Sequence, residues 1–454
     1  MKNILKLLFT LLLYTFPIIS NAQFTIDGSF QTRAILNHGY GNPVVENSPA
    51  LFGADQRSRI IIGYKNENYI TKFVIQDARV WGSEDFYNAT GPQRRSYSFG
   101  VHEAWAELMF SDFSSVRVGR QEWSYNSSRL LSQRSWWTTM LAYDAVLYKF
   151  HNKQTGLFLD MGISYNNDMN TSNGAYINTY PNRLKTINFI NLNKKFGNNI
   201  DITFNGILSG QQDELLEQTL YMKATEGLIV SYNFGKNKKA GLFVNANAYY
   251  QHGTHANKLG GNSEVQAHMF DFQVGFLSNN KKVIFSFGME KLSGQDLTNT
   301  DASYSKINHT FDLLQGGRHK YYGGQMDYFN TTASTNNGGL LDPYFHLSYQ
   351  FDEKNLLKMD VFLPMVAANI GLNNPSNELG LGLDLTYTRS IFKDVKISFA
   401  GSLFNMSDNL KIMKGMLFKD ANGNIISDVA GVQYMFYTIL SVSPSFFDSS
   451  KKRE

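Results

Sequence analysis

Residues 379–388 read Leu-Gly-Leu-Gly-Leu-Asp-Leu-Thr-Tyr-Thr, so Leu379, Leu381, Leu383, Leu385 and Tyr387 alternate with Gly380, Gly382, Asp384, Thr386 and Thr388. Successive side chains of an extended chain point to opposite faces, which makes this a strand with one apolar and one polar side. The pattern recurs as Phe24, Ile26, Gly28 and Phe30 against Thr25, Asp27, Ser29, Gln31 and Arg33. It recurs again as Ile200, Ile202, Phe204 and Leu208 against Asp201, Thr203, Asn205 and Ser209. A soluble sandwich also alternates; strand length and loop asymmetry separate it from a membrane barrel.

Both features favour the barrel. Tight turns fall at Asn66–Asn68, Asp112–Ser115, Asn152–Thr155, Gly197–Asn199, Lys236–Lys239, Asn279–Asn280, Asp352–Asn355 and Lys393–Asp394. Longer polar connections lie between them, at 35–55, 82–98, 124–141, 166–184, 294–340 and 405–429. Short periplasmic turns alternating with long extracellular loops are the mark of outer-membrane barrels. The expectation is an all-β, transmembrane, antiparallel up-and-down β-barrel of about 18 strands, with both termini periplasmic. Hydrocarbon offers backbone groups no partners, so the first strand must pair with the last. Ala430–Phe447, AGVQYMFYTILSVSPSFF, has the aromatic, β-rich content of that closing strand.

Composition agrees. Residues 1–22 carry Lys2 and Lys6, an apolar run from Leu7 to Ile19, and Ser20-Asn21-Ala22 before Gln23. This is the pattern of a cleaved secretory leader, leaving 23–447 as the barrel and 448–454, DSSKKRE, as a charged tail. No later stretch approaches the roughly 18 apolar residues of a spanning helix. The chain has no cysteine, so neither disulfides nor thiolate metal sites stabilise an exported product. Aromatic residues make up 14% of the chain, a surplus that membrane-interface girdles use. A formal charge of +4 is too small to imply a polyanionic partner. Neither a phosphate-binding loop nor a nucleic-acid-binding signature is present, and no cofactor is expected. The expected surroundings are outer-membrane lipid and lipopolysaccharide.

Charges of both signs crowd the polar faces near the start of the chain: Arg33, Arg57, Arg59, Asp77, Arg79, Glu103, Glu107, Arg117, Arg120, Glu122, Arg129, Arg134 and Asp144. An arginine facing lipid at mid-depth costs about 2–4 kcal/mol, so strand arginines belong in the lumen or at the membrane edge. Guanidinium forks in a channel suit carboxylates and phosphates. Two readings stand side by side: a positively biased path for an anionic solute, and a ladder of Arg–carboxylate pairs bracing the wall. A bulge around Gly119–Glu122 is expected to shift the alternation locally.

The stretch from Arg117 to Phe150, RVGRQEWSYNSSRLLSQRSWWTTMLAYDAVLYKF, resembles the alginate-export family of outer-membrane porins. The shared marks are Gly119-Arg120-Gln121, Arg129-Leu130-Leu131, Trp136 and Asp144-Ala145. Ile75–Gly82, Glu290–Asp296 and His309–Phe329 are similar to further segments of that family, in the same order. The resemblance implies an 18-stranded barrel with an Arg-lined constriction, interrupted by acids, that passes an acidic polysaccharide. It carries over to Arg79, Arg120 and Arg129, with Asp77 and Asp144, as lumen residues.

The connection 294–340 is long enough to fold back and narrow the lumen, with His309, Asp312, Arg318, His319, Lys320 and Asp327 as its polar residues. The spacing of His309, Asp312 and His319 matches no strong metal motif, and packing of this loop in the barrel mouth is the simpler reading. Other functional classes are a non-conducting scaffold with envelope protein partners and an outer-membrane lipid hydrolase. The hydrolase lacks a Gly-x-Ser-x-Gly elbow.

Overall fold

The computed structural model describes residues 22–82, 97–166, 169–170, 176–177, 184–212, 219–234, 240–256, 262–371, 377–419, 425–427, 429 and 431–450. Residues 1–21 of the expected leader, the turn at Lys236–Lys239 and most of the connections 82–98 and 166–184 lie outside them.

The wall consists of β1 (Gln23–His38), β2 (Leu51–Lys65), β3 (Tyr69–Val80), β4 (Tyr97–Met109), β5 (Ser114–Gln121) and β6 (Tyr143–Asn152). It continues with β7 (Leu157–Tyr165), β8 (Leu184–Phe196), β9 (Ile200–Gln212), β10 (Leu220–Asn233), β11 (Gly241–Ala256) and β12 (Asn262–Leu277). It ends with β13 (Val283–Leu292), β14 (Leu340–Gln350), β15 (Asn355–Phe362), β16 (Gly380–Phe392), β17 (Val395–Met406) and β18 (Val432–Val442). Of 20 segments in the sheet, Ser445–Asp448 prolongs β18 and the two-residue Ile307–Asn308 only borders β12, which leaves 18 wall strands. Each strand is antiparallel to its chain neighbours, and β18 closes on β1 from Phe30↔Val442 to His38↔Tyr434. The closing segment pairs as far as Thr25↔Asp448, one residue beyond the expected end of the wall.

The turns form where short polar side chains imitate backbone. Asn66 Oδ1 accepts from the N–H groups of Asn68 and Tyr69, Asn152 Oδ1 from Gln154 and Thr155, and Asp352 Oδ1 from Lys354 and Asn355.

Burial is inverted relative to a soluble protein. On β16, Leu381, Leu383 and Leu385 are 45%, 36% and 46% exposed, while Asp384 between them is 3% exposed. The apolar faces therefore point outward, as the membrane reading requires. Leu379 departs from the alternation: it is fully buried, because the strand starts only at Gly380, whose φ of +149° turns the chain.

The expected bulge lies elsewhere. Val74 pairs with Glu103 but Ile75 with Val101, so His102 is the additional residue and both His102 and Glu103 face inward. At Gly119 the register holds, and the glycine is needed because a Cβ there would sit 2.2 Å from the Ala104 carbonyl oxygen.

Replacing outward Val274 by Arg should lower folding stability in lipid vesicles by about 2–4 kcal/mol, whereas inward Gln273→Arg should cost well under half of that. Urea titrations of the two variants check this, and equal losses would contradict the assignment of faces.

Candidate functional site

Two loops turn into the barrel instead of standing on it. The connection 122–142 is drawn inward by Trp123, whose ring stacks on Tyr143 (4.6 Å between centroids) and meets Phe189 of β8 edge-on (4.9 Å), and by buried Leu130 and Leu131. Its tight course places Asn126, Ser127, Ser128, Arg134 and Met140 at positive φ, a strained arrangement that surrounding contacts hold. The connection 293–339 buries Phe311, Leu313, Leu314, Tyr322, Met326, Tyr328 and Phe329 in the same core.

The second loop is anchored on several sides of the wall. Asp312 pairs with Lys223 of β10 (2.5 Å), Asp342 of β14 accepts from the Gly323 N–H (2.9 Å), and Asp384 of β16 accepts from the Gln325 N–H (2.9 Å). Tyr437 of β18 donates to Gln325 Oε1 (2.8 Å), and Tyr328 donates to the Gly39 carbonyl just beyond β1 (2.6 Å). Gly324, at φ +88°, admits this approach because a Cβ would lie 2.7 Å from Asp384 Oδ2.

The loops also clasp each other. The Gly317 N–H donates to Ser128 O (2.8 Å), Tyr321 Oη to Ser127 O (2.8 Å), and Arg134 to the carbonyls of Leu314 (3.0 Å) and Gly316 (3.2 Å).

Two cavities flank the clasp. One, of about 420 Å³, is lined by Gln31, Arg57, Arg134, Trp136, Trp137, Arg318, His319, Lys320 and Asp327 among others. Its charged lining comprises four permanent cations and a single carboxylate. Burial, followed by the charge of Arg318, lowers the Arg134 pKa to about 10, and burial lowers that of Arg318. The other cavity, of about 200 Å³, carries Asp271, Glu290 and Asp342 against Arg129 and Lys320.

The strand charges expected in the lumen divide into two sets. Most face inward and are paired: Arg33 with Asp55 (2.6 Å), Arg59 with Glu122 (3.3 Å), Glu103 with Lys72, and Glu107 with Arg117 (2.7 Å) and Lys149 (2.8 Å). Glu122 also meets His102 (2.7 Å), and Arg57 donates to Gln31 Oε1 (2.5 Å). Arg129, on the inward loop, reaches across to Asp271 (3.2 Å) of β12 and Glu290 of β13. This is the ladder reading along much of the wall.

Asp77, Arg79, Arg120 and Asp144 are corrections. Asp77 and Arg79 pair with each other (2.7 Å) on the outward parity of exposed Phe73, opposite buried Gln76 and Ala78. Arg120 and Asp144 pair at 2.6 Å, 46% and 54% exposed, beside exposed Val118 and Val146. All four sit at the loop-side ends of their strands, where mutual neutralisation makes an outward position tolerable. Of the residues carried over from the resemblance, Arg129 alone faces inward.

Among the loop residues, His309 stacks on Tyr304 (4.2 Å) at the outer edge of β12, away from both cavities. His319 lies flat on Trp136 (3.5 Å, 9°) with Nδ1 3.2 Å from Asp327. Asp327 also accepts from Tyr40 (2.5 Å), and Arg33 lies 4.0 Å over the Trp136 ring. Sequence reasoning did not single out Tyr40, Asp55, Asp271, Glu290, Asp342 or Asp384; the carboxylates among them read simply as the polar half of an alternating strand.

No protein-family model and no curated protein matches the sequence. Solved structures do. OccAB1 of Acinetobacter baumannii superposes with a TM-score of 0.60 at 11% identity over 94% of this chain and 97% of its own. OccK2 (OpdF) of Pseudomonas aeruginosa, solved in complex with glucuronate, gives 0.60 at 10% identity over 93% and 97%. The outer membrane protein OprD of Pseudomonas aeruginosa gives 0.57 at 10% identity over 93% and 94%. The fold is thus that of an outer-membrane β-barrel porin. These likenesses show the fold alone and give no support to the alginate-export family in particular.

Burial holds His319 below the ordinary histidine pKa against the pull of Asp327, so its ring is neutral at pH 7. Once its loop is released the ring takes up a proton more readily, so the latch formed by His319 on Trp136 and Asp327 stabilises fully above about pH 6.5 and loses strength as pH falls below that value. Thermal melts between neutral pH and roughly pH 5 should show this decline, and His319→Gln should flatten it. An unchanged slope in the variant would remove the latch.

Proposed function

We propose that this chain is a selective outer-membrane channel for small anionic solutes, carboxylated sugars among them. The observation that carries the reading is the larger cavity, where Arg57, Arg134, Arg318 and Lys320 face Asp327 alone. Such a surplus raises the local concentration of anions, and guanidinium forks favour carboxylates. Glucuronate, the ligand of the OccK2 complex, is the natural first probe. The inward loops favour sugar-sized solutes over a threaded polymer such as alginate, because the interior between opposite walls is spanned by anchored chain. In this reading the protein resides in the outer membrane of a Gram-negative bacterium, surrounded by lipid and lipopolysaccharide, and passage is diffusive.

In planar bilayers under a salt gradient, the native protein should show an anion-selective reversal potential, and glucuronate should interrupt the current. Cation preference would refute the proposal, and a silent barrel would favour a scaffold with envelope partners. Replacing 310–329 by a short Gly-Ser linker should raise single-channel conductance several-fold; an unchanged current would show that the loop does not narrow the path.

A further inference from the structure

The two cavities share three lining residues, Ser127, Lys320 and Tyr321. The shared wall is where the inward loops meet, since Tyr321 donates to the Ser127 carbonyl there. Tyr321 is fixed from the second cavity's side by Arg129, whose guanidinium lies 4.1 Å from the ring centroid and is itself tied to Asp271 and Glu290. A chain of contacts from β12 and β13 through Arg129 to Tyr321 therefore holds this wall in place.

The cations around it are not equivalent. Arg134 is bonded to two loop carbonyls, Arg318 to Leu314 O, and Arg57 to Gln31. Lys320 is exposed, its ammonium 5.0 Å from the Tyr321 ring centroid, and among the described residues it makes no hydrogen bond or ion pair. It is also the cation common to both cavities. A flexible ammonium without hydrogen bond or ion pair, at the boundary between a basic and a more acidic chamber, presents its charge to both.

Resting on the channel reading above, we infer that Lys320 is the specificity-determining residue. Solutes in either chamber meet its charge at the edge of the Ser127–Tyr321 wall, and Lys320 selects them there by charge. Arg129 is a positioning residue that keeps Tyr321 in the wall, and Arg134 and Arg318 shape the chamber through the loop backbone.

The test is the anion-to-cation permeability ratio of Lys320→Gln and Lys320→Glu in planar bilayers, with outward-facing Arg120→Gln as the control. Loss of one charge at close range should lower the ratio about fivefold, with a further drop in Lys320→Glu, while Arg120→Gln stays at the native value. Since Lys320 is exposed and unpaired, the variants should fold, which electrophoretic heat-modifiability verifies. The chain has no native cysteine, so Lys320→Cys adds a second reading. A sulfonate-bearing methanethiosulfonate should alter its current, whether added from the loop side or the turn side. A ratio unchanged in Lys320→Glu, or a Lys320→Cys current insensitive to the reagent, overturns the inference. The shift is read against the parent protein whatever sign the parent shows, whereas the parent's own sign decides the anionic-solute reading.

Discussion

Every backbone N–H and C=O of a membrane wall must find its partner within the protein, and pairing of β18 with β1 satisfies the last of them. That closure explains why strands at opposite ends of the chain are neighbours. It also explains why the apolar halves of the strands face outward while Asp384 and Gln433 are buried. The ring encloses an interior too wide for wall side chains alone to fill. The loops 122–142 and 293–339 fill it.

Filling a polar interior with loop backbone requires partners for that backbone. The wall supplies them as carboxylates, with Asp342 and Asp384 receiving N–H groups of the Gly323–Gln325 turn. Elsewhere the wall neutralises itself, as Glu107 does with Arg117 and Lys149. Because wall charges are largely consumed in such pairs, the surplus of cations in the larger cavity arises at the loops, where Arg134, Arg318 and Lys320 converge on Arg57. Ion pairs of the ladder kind run along β1–β6, and the cationic surplus of the larger cavity lies where the two loops meet.

Much of the fold was legible because its signals are local. Alternation is a property of one strand, and the turns at Asn66, Asn152 and Asp352 depend on side chains reaching two or three residues onward. The site was less legible. Arg117 and Arg120 lie three apart on one strand and so face opposite ways, yet both read as lumen residues in the sequence because the acids that neutralise them, Glu107 inside and Asp144 outside, lie on neighbouring strands. The bulge at His102 shifts that count on β4, and nothing in the residues around it marks the place. Asp342, Asp384, Asp271 and Glu290 looked like ordinary polar strand positions because their partners lie far away in the chain.

By itself the sequence determined a closed antiparallel wall, its turns and its long connections, because period-two patterning and turn chemistry act over a few residues. Only the tertiary structure decided which charges meet and which line the interior cavities. Closing the ring and folding two distant loops into it sets the faces, the pairings and the boundary at Lys320 and Tyr321, and those are contacts between residues that only the closed barrel brings together.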